Sequence, residues 1–121
     1  MTIPIVRKVQ IGYQEPITIA DYVSTLATGS SVSFETPIEG YSVIFGQVYS
    51  SQTISLDVEQ GVDDRGGTLT YDHSIPTVTV AAGTTEARIV PVHGNFARVT
   101  LTNASGFTAT IRANFDARGI A

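Results

Sequence analysis

At 121 residues, with no cysteine, no tryptophan and a formal net charge of −4, the chain is long enough to close one core without disulfide staples. The missing cysteines exclude thiolate metal sites, and seven basic residues scattered along the chain speak against the clustered cationic surface that a nucleic-acid duplex requires. Charged residues make up 15% of the sequence, against roughly 25% in ordinary soluble domains, and serine and threonine fill the surface instead, which suits a protein packed against neighbours.

Residues 3–11 read as an extended segment ended by Gly12, and residues 17–20 as a second short one held off from helix by Pro16. Asp21 is placed to cap one or two helical turns through Tyr22, Val23, Leu26 and Ala27, closed by Gly29, so one short helix is expected at 21–27. From Ser31 the pattern turns into short strands. Residues 31–35 point Val32 and Phe34 inward. Residues 41–49 are nearly all apolar, as in a strand buried on both faces, with Gly46 marking a bulge or a close backbone approach. Residues 53–59 alternate Ile54, Leu56 and Val58 with Ser55, Asp57 and Glu59.

Short strands follow at 68–71 and 77–80, then at 86–92 and 96–102. The last one alternates most strictly, with Phe107, Ala109, Ile111, Ala113 and Phe115 on one face and Thr108, Thr110, Arg112 and Asn114 on the other. Turn residues separate the strands at 61–67, 82–84, 93–95 and 103–106. Short strands at intervals of roughly ten residues predict an all-β fold, a single antiparallel two-sheet β-sandwich of jelly-roll type. Residues 1–30 form an N-terminal arm outside that rhythm, carrying the one short helix, and residues 31–121 form the sandwich domain.

The chemistry-bearing residues do not assemble into an active site. Asp57, Glu59, Asp63 and Asp64 form an acidic hairpin whose spacing does not match a calcium loop, and no aromatic-lined cleft accompanies them as in a glycosidase. His73 and His93 lie beside turns with no third metal ligand at a matching spacing, and no Gly-x-Ser-x-Gly nucleophile turn is present. Asn103-Ala104-Ser105 fits a glycosylation sequon but reads as a turn. The expectation is therefore a protein that is not an enzyme, with no cofactor, no metal, no nucleic-acid partner and no membrane partner. No stretch of 18 apolar residues or signal-peptide pattern appears.

Binding is the better reading. Ile3, Ile5, Val6, Val9, Ile11, Tyr13 and Ile17 need burial, either against their own sheet or against another chain as an edge strand. Arg88, Arg98 and Arg112 fall on predicted strands where a guanidinium grips a neighbour's carboxylate, or else pairs within the chain with Glu86, Asp116 or Glu59.

One stretch of the chain adds a family resemblance. The run from Ile54 to Gln60, a Gly/Asp loop, Tyr71-Asp72, the run from Thr77 to Gly83, and the run from Ile89 to Asn103 with Gly94, Ala97-Arg98-Val99 and Thr102-Asn103 follow one another in order. Residues 41–115 so arranged resemble the small β-sandwich modules of tailed-bacteriophage virion proteins, most of all capsid decoration (cement) proteins. That resemblance implies a structural protein of the outer capsid surface, made in the host cytoplasm. It would bind the major capsid protein and associate with its own copies, as a trimer rather than a dimer. The alternative is a carbohydrate- or receptor-binding module of a tail or fibre tip.

Overall fold

The computed structural model describes residues 15–63 and 69–119. Its nine strands are β1 (Ile17–Leu26), β2 (Ser31–Pro37), β3 (Val43–Ser50), β4 (Ile54–Asp63), β5 (Leu69–His73), β6 (Val78–Val80), β7 (Thr84–Pro91), β8 (Phe96–Thr102) and β9 (Ala109–Arg118). Every pairing is antiparallel. Sheet A runs β1-β9-β3-β7, and sheet B runs β2-β8-β4-β5 with β6 also paired to β4. Successive strands cross from one sheet to the other except along β4-β5-β6, which gives the jelly-roll order of an antiparallel sandwich.

The core is the interleaving of two alternations. Ile111, Ala113, Phe115 and Ala117 of β9 face inward together with Ile44 and Val48 of β3. They meet Leu56 and Val58 of β4 and Val99 and Leu101 of β8, all buried. Glycine 46 sits opposite Phe115 in the β3–β9 register, and the Phe115 ring lies over its backbone so closely that a methyl group would overlap it. The close approach expected there is real, and it is a cross-strand ring filling the space of a missing side chain.

Three expectations are corrected. Residues 21–27 form no helix: they belong to β1, an integral strand of sheet A, so the boundary at residue 30 does not separate arm from sandwich. Six of the ten β1 residues are β-branched or aromatic, which favours strand over helix. A bulge between Thr18 and Ala20 buries Ile19 and Ala20 in succession and so breaks the period-two signal. Second, β3 is not buried on both faces. Ile44, Gly46 and Val48 are buried, whereas Val43, Phe45 and Tyr49 on the outer side are half-buried. Third, Phe107 does not share the core face of β9; it is 70% exposed, because a turn fills the chain up to Ala109.

That turn is held by Asn103, which is fully buried. Its Nδ2 donates to the carbonyls of Leu26 and Phe107 at 2.8 Å each, and its Oδ1 accepts from the Ser105 amide and hydroxyl. The amide nitrogen of the sequon is thus inside the protein with both hydrogens used, and the turn reading stands. Gln60, also buried, does the same at the other end of the sandwich. It donates to Ser74 Oγ and the Pro91 carbonyl and accepts from the His93 and Gly94 amides. Both side chains satisfy in full the polar groups they bury.

Candidate functional site

The two outer sheet faces differ in chemistry. On sheet B the register places Glu35, Arg98, Glu59 and His73 in one row across β2, β8, β4 and β5. Arg98 Nε donates to Glu59 Oε1 at 2.9 Å, and Arg98 Nη1 lies 3.9 Å from Glu35 Oε2. His73 stands 3.8 Å from Glu59 and 3.6 Å from Asp57, which also accepts from Thr77 Oγ1 at 2.6 Å. The Arg98 guanidinium stacks over the Tyr71 ring, 4.2 Å from its centre. The Glu59 hydrogen bond raises the Arg98 pKa further above its ordinary value. Burial, and then the nearby Glu35 carboxylate, push Tyr71 up to about 12. The Tyr71 hydroxyl is buried without a hydrogen-bond partner.

This row binds its own members. Arg98 makes the pairing within the chain with Glu59 that was set against an intermolecular role, and its carboxylates face a cation instead of an open cleft. Next to it, Ser31 pairs with Thr102 and Ser33 with Thr100 through their hydroxyls, so the polar ladder continues along β2 and β8.

Sheet A presents the opposite character. Its outer rows read Val23–Arg112–Tyr49–Thr85, Asp21–Asn114–Gln47–Ala87 and Thr18–Asp116–Phe45–Ile89 across β1, β9, β3 and β7. Val23 is 72% and Ile89 67% exposed, their rows also carry the half-buried Tyr49 and Phe45, and the row between them exposes Asp21, Asn114 and Gln47. The Arg112 guanidinium sits 5.6 Å from the Tyr49 ring centre and that of Arg118 4.6 Å from Phe45. Arg118 also pairs with Asp116 at 3.1 Å. Aromatic rings, arginine planes and exposed aliphatic side chains on one flat face form the composition of protein interfaces.

Of the predicted interface residues, Ile3, Ile5, Val6, Val9, Ile11 and Tyr13 lie outside the described residues. Ile17 is a correction: it pairs with Ala117 and packs partly buried against the core, because the strand it opens belongs to the sandwich. Arg98 and Arg112 come to opposite faces of the molecule, and only Arg112 lies on the face that exposes Val23 and Ile89. Val23, Phe45, Tyr49, Ile89 and Arg118 join it there without having been singled out. Exposed apolar residues on strands of sound alternation were the available signal, but the register that gathers them is not local.

A shallow groove of about 470 Å³ runs between β6 and β7, lined by Ile75, Pro76, Val78, Glu86 and Arg88 among others. Arg88 Nη1 binds Glu86 Oε1 at 2.9 Å. The opposite flank is closed, with Tyr22 of β1 meeting Phe34 of β2 edge to face at 5.9 Å.

No protein-family model matches the chain. Nor does any curated protein sequence. Solved structures do match in fold. The PBSX exported protein XepA superposes with a TM-score of 0.67 at 17% identity, covering 88% of this chain and 37% of XepA. A structure of infectious bursal disease virus, Gt strain, gives 0.57 at 14% identity, covering 86% of this chain and 32% of that one. The Yersinia pseudotuberculosis-derived mitogen gives 0.54 at 15% identity over 86% of both chains. The chain thus spans little more than a third of XepA, and what it shares with all three is the antiparallel β-sandwich.

Proposed function

We propose that the protein is a non-enzymatic structural subunit of a virus particle, a decoration or cement protein. In this reading it sits on the outer capsid surface, made in the host cytoplasm, as a homo-oligomer, a trimer rather than a dimer, and it grips the major capsid protein. The observation that carries the reading is the outer face of sheet A, where Val23 and Ile89 stand exposed around arginine-capped Tyr49 and Phe45. Covering such a face releases water from apolar surface and from weakly hydrated guanidinium planes, so a broad, flat partner is favoured over a small ligand. A sandwich of this kind also occurs in a structure of infectious bursal disease virus, which supports a virion setting for the fold. A subunit that binds only the assembled shell stabilises it by mass action.

The test is co-sedimentation with capsid shells lacking this protein, using the native chain and a Val23→Lys/Ile89→Lys variant. Surface substitutions of this kind shift stability by less than about 0.5 kcal/mol each, so the thermal melt should hardly move while shell binding falls more than tenfold. Unaltered binding of the variant to shells refutes the choice of face, and failure of the native chain to bind any shell refutes the capsid role.

A further inference from the structure

We propose that the groove between β6 and β7 receives residues 3–11 of a second copy of this chain, added to β7 as an antiparallel strand. This deepens the oligomer part of the reading above and stands apart from capsid binding.

Four strand edges border the two sheets, and they are not equivalent. The β1 edge is broken by its bulge and packs against β2, and the far edge of sheet B is divided between the five residues of β5 and the three of β6. β7 pairs with β3 over eight consecutive residues without a register shift, and on its other side it has no partner among the described residues. A long, regular, uncovered edge is the part of a sheet that takes another strand. Here it also borders a trough of mixed character, where Val78 and Ile75 are flanked by Thr77, Thr79, Glu86 and Arg88, so an added strand gains side-chain contacts as well as main-chain hydrogen bonds.

The segment ahead of β1 has the matching pattern. Ile3, Ile5, Arg7, Val9 and Ile11 share one face of an extended chain, apolar except for a central cation. On the groove side β7 presents Glu86 and Arg88, which pair with each other at 2.9 Å, and, further along the same face, buried Val90. In an antiparallel register that sets Ile3 beside Val90, Ile5 falls beside the stem of Arg88 and Arg7 beside Glu86, whose carboxylate would then be shared by two guanidinium groups.

The second copy follows from topology. β1 begins at the edge of sheet A farthest from β7, and at the end of the sheet where β7 finishes. Within one chain the segment would therefore lie parallel to β7, in a sheet that is otherwise wholly antiparallel. Four strand spacings of about 4.8 Å separate β1 from a strand beyond β7, roughly 19 Å. With Ile11 level with Val90, the six steps to Ile17 reach at most about 20–22 Å fully extended, which leaves no slack to round the end of the sandwich. A neighbouring copy enters with the antiparallel sense and no such constraint.

The experiment uses the full chain carrying a photo-crosslinking side chain in place of Ile5, mixed in equal parts with heavy-isotope-labelled chain. Light scattering follows oligomer mass in parallel. The expected result is an oligomer in solution whose crosslinks join light to heavy chains and fall within residues 75–79 and 84–91. Arg7→Glu and Glu86→Lys should each raise the dissociation constant more than tenfold, and the double exchange should recover most of the loss. A monomeric chain, crosslinks confined to single chains or to β1, or an oligomer indifferent to both exchanges would overturn the proposal. Shell binding is read separately, so a failure here leaves the capsid reading where it stood.

Discussion

Replacing Gly46 by alanine tests the packing argument where it is tightest. The added methyl would sit inside the Phe115 ring, which is 1% exposed and fixed between facing strands. The backbone cannot withdraw, because β3 is hydrogen-bonded to β9 on one side and to β7 on the other. Forcing extra volume into a filled core costs about 1–3 kcal/mol, while alanine regains about 0.5–1 kcal/mol of the entropy that glycine loses on folding. A net loss of about 1–2 kcal/mol is expected, a sizeable part of the roughly 5–15 kcal/mol that holds a domain together. Urea unfolding followed by far-ultraviolet circular dichroism measures it. Phe115→Ala alone should cost about 3–5 kcal/mol. The double variant should be more stable than the sum of the two losses predicts, because the methyl then enters the space the ring vacated. A Gly46→Ala protein as stable as the parent, or a strictly additive pair, would refute the ring-over-glycine account.

Two further outcomes bear on the polar row of sheet B. Tyr71 keeps its proton to about pH 12, while an unfolded tyrosine releases it near 10. Its contribution is therefore complete below about pH 10 and is lost as pH rises from there through about 12. A phenolate absorbance titration should show one late-titrating tyrosine that Tyr71→Phe removes, and at neutral pH that variant should equal or exceed the parent in stability, since the lost hydroxyl had no partner. Arg98→Ala takes from Glu59 its hydrogen-bonded cation and from Tyr71 its stacked plane. A loss of about 1–3 kcal/mol is expected in urea unfolding, with shell binding intact once folded; a stable variant that no longer binds would return Arg98 to an interface.

Strands whose two faces meet different environments were legible residue by residue. Ile54, Leu56 and Val58 turned inward, as did Ala109, Ile111, Ala113 and Phe115, because each strand simply alternates between core and water. β1 was not, because its bulge buries Ile19 and Ala20 side by side and Asp21 then imitates a helix cap. Phe107 extended the alternation by one residue pair too many, since nothing local announces that Asn103 will consume the chain as far as Phe107 in its hydrogen bonds. The candidate site was the least legible part. Arg112 meets Tyr49 and Val23 only through the pairing of β9 with β3 and β1, a register set by the whole sheet.

The same register decides which face is available for association. Covering sheet B would strip water from Glu35, which is 53% exposed, and from Asp57 and Glu59, which already hold Thr77 and Arg98 as hydrogen-bond donors. A partner there must replace that hydration with well-placed donors or meet a large desolvation cost. Sheet A asks much less. Val23 and Ile89 gain by losing water, the arginines already lie flat on Tyr49 and Phe45, and Asp116 is neutralised by Arg118. Guanidinium planes so placed can still turn their edges to a neighbour's carboxylates while their faces stay on the rings. On the proposed reading, a partner that meets either side with equal frequency should be retained on sheet A, while the salt-linked row on sheet B should keep the opposite face in water.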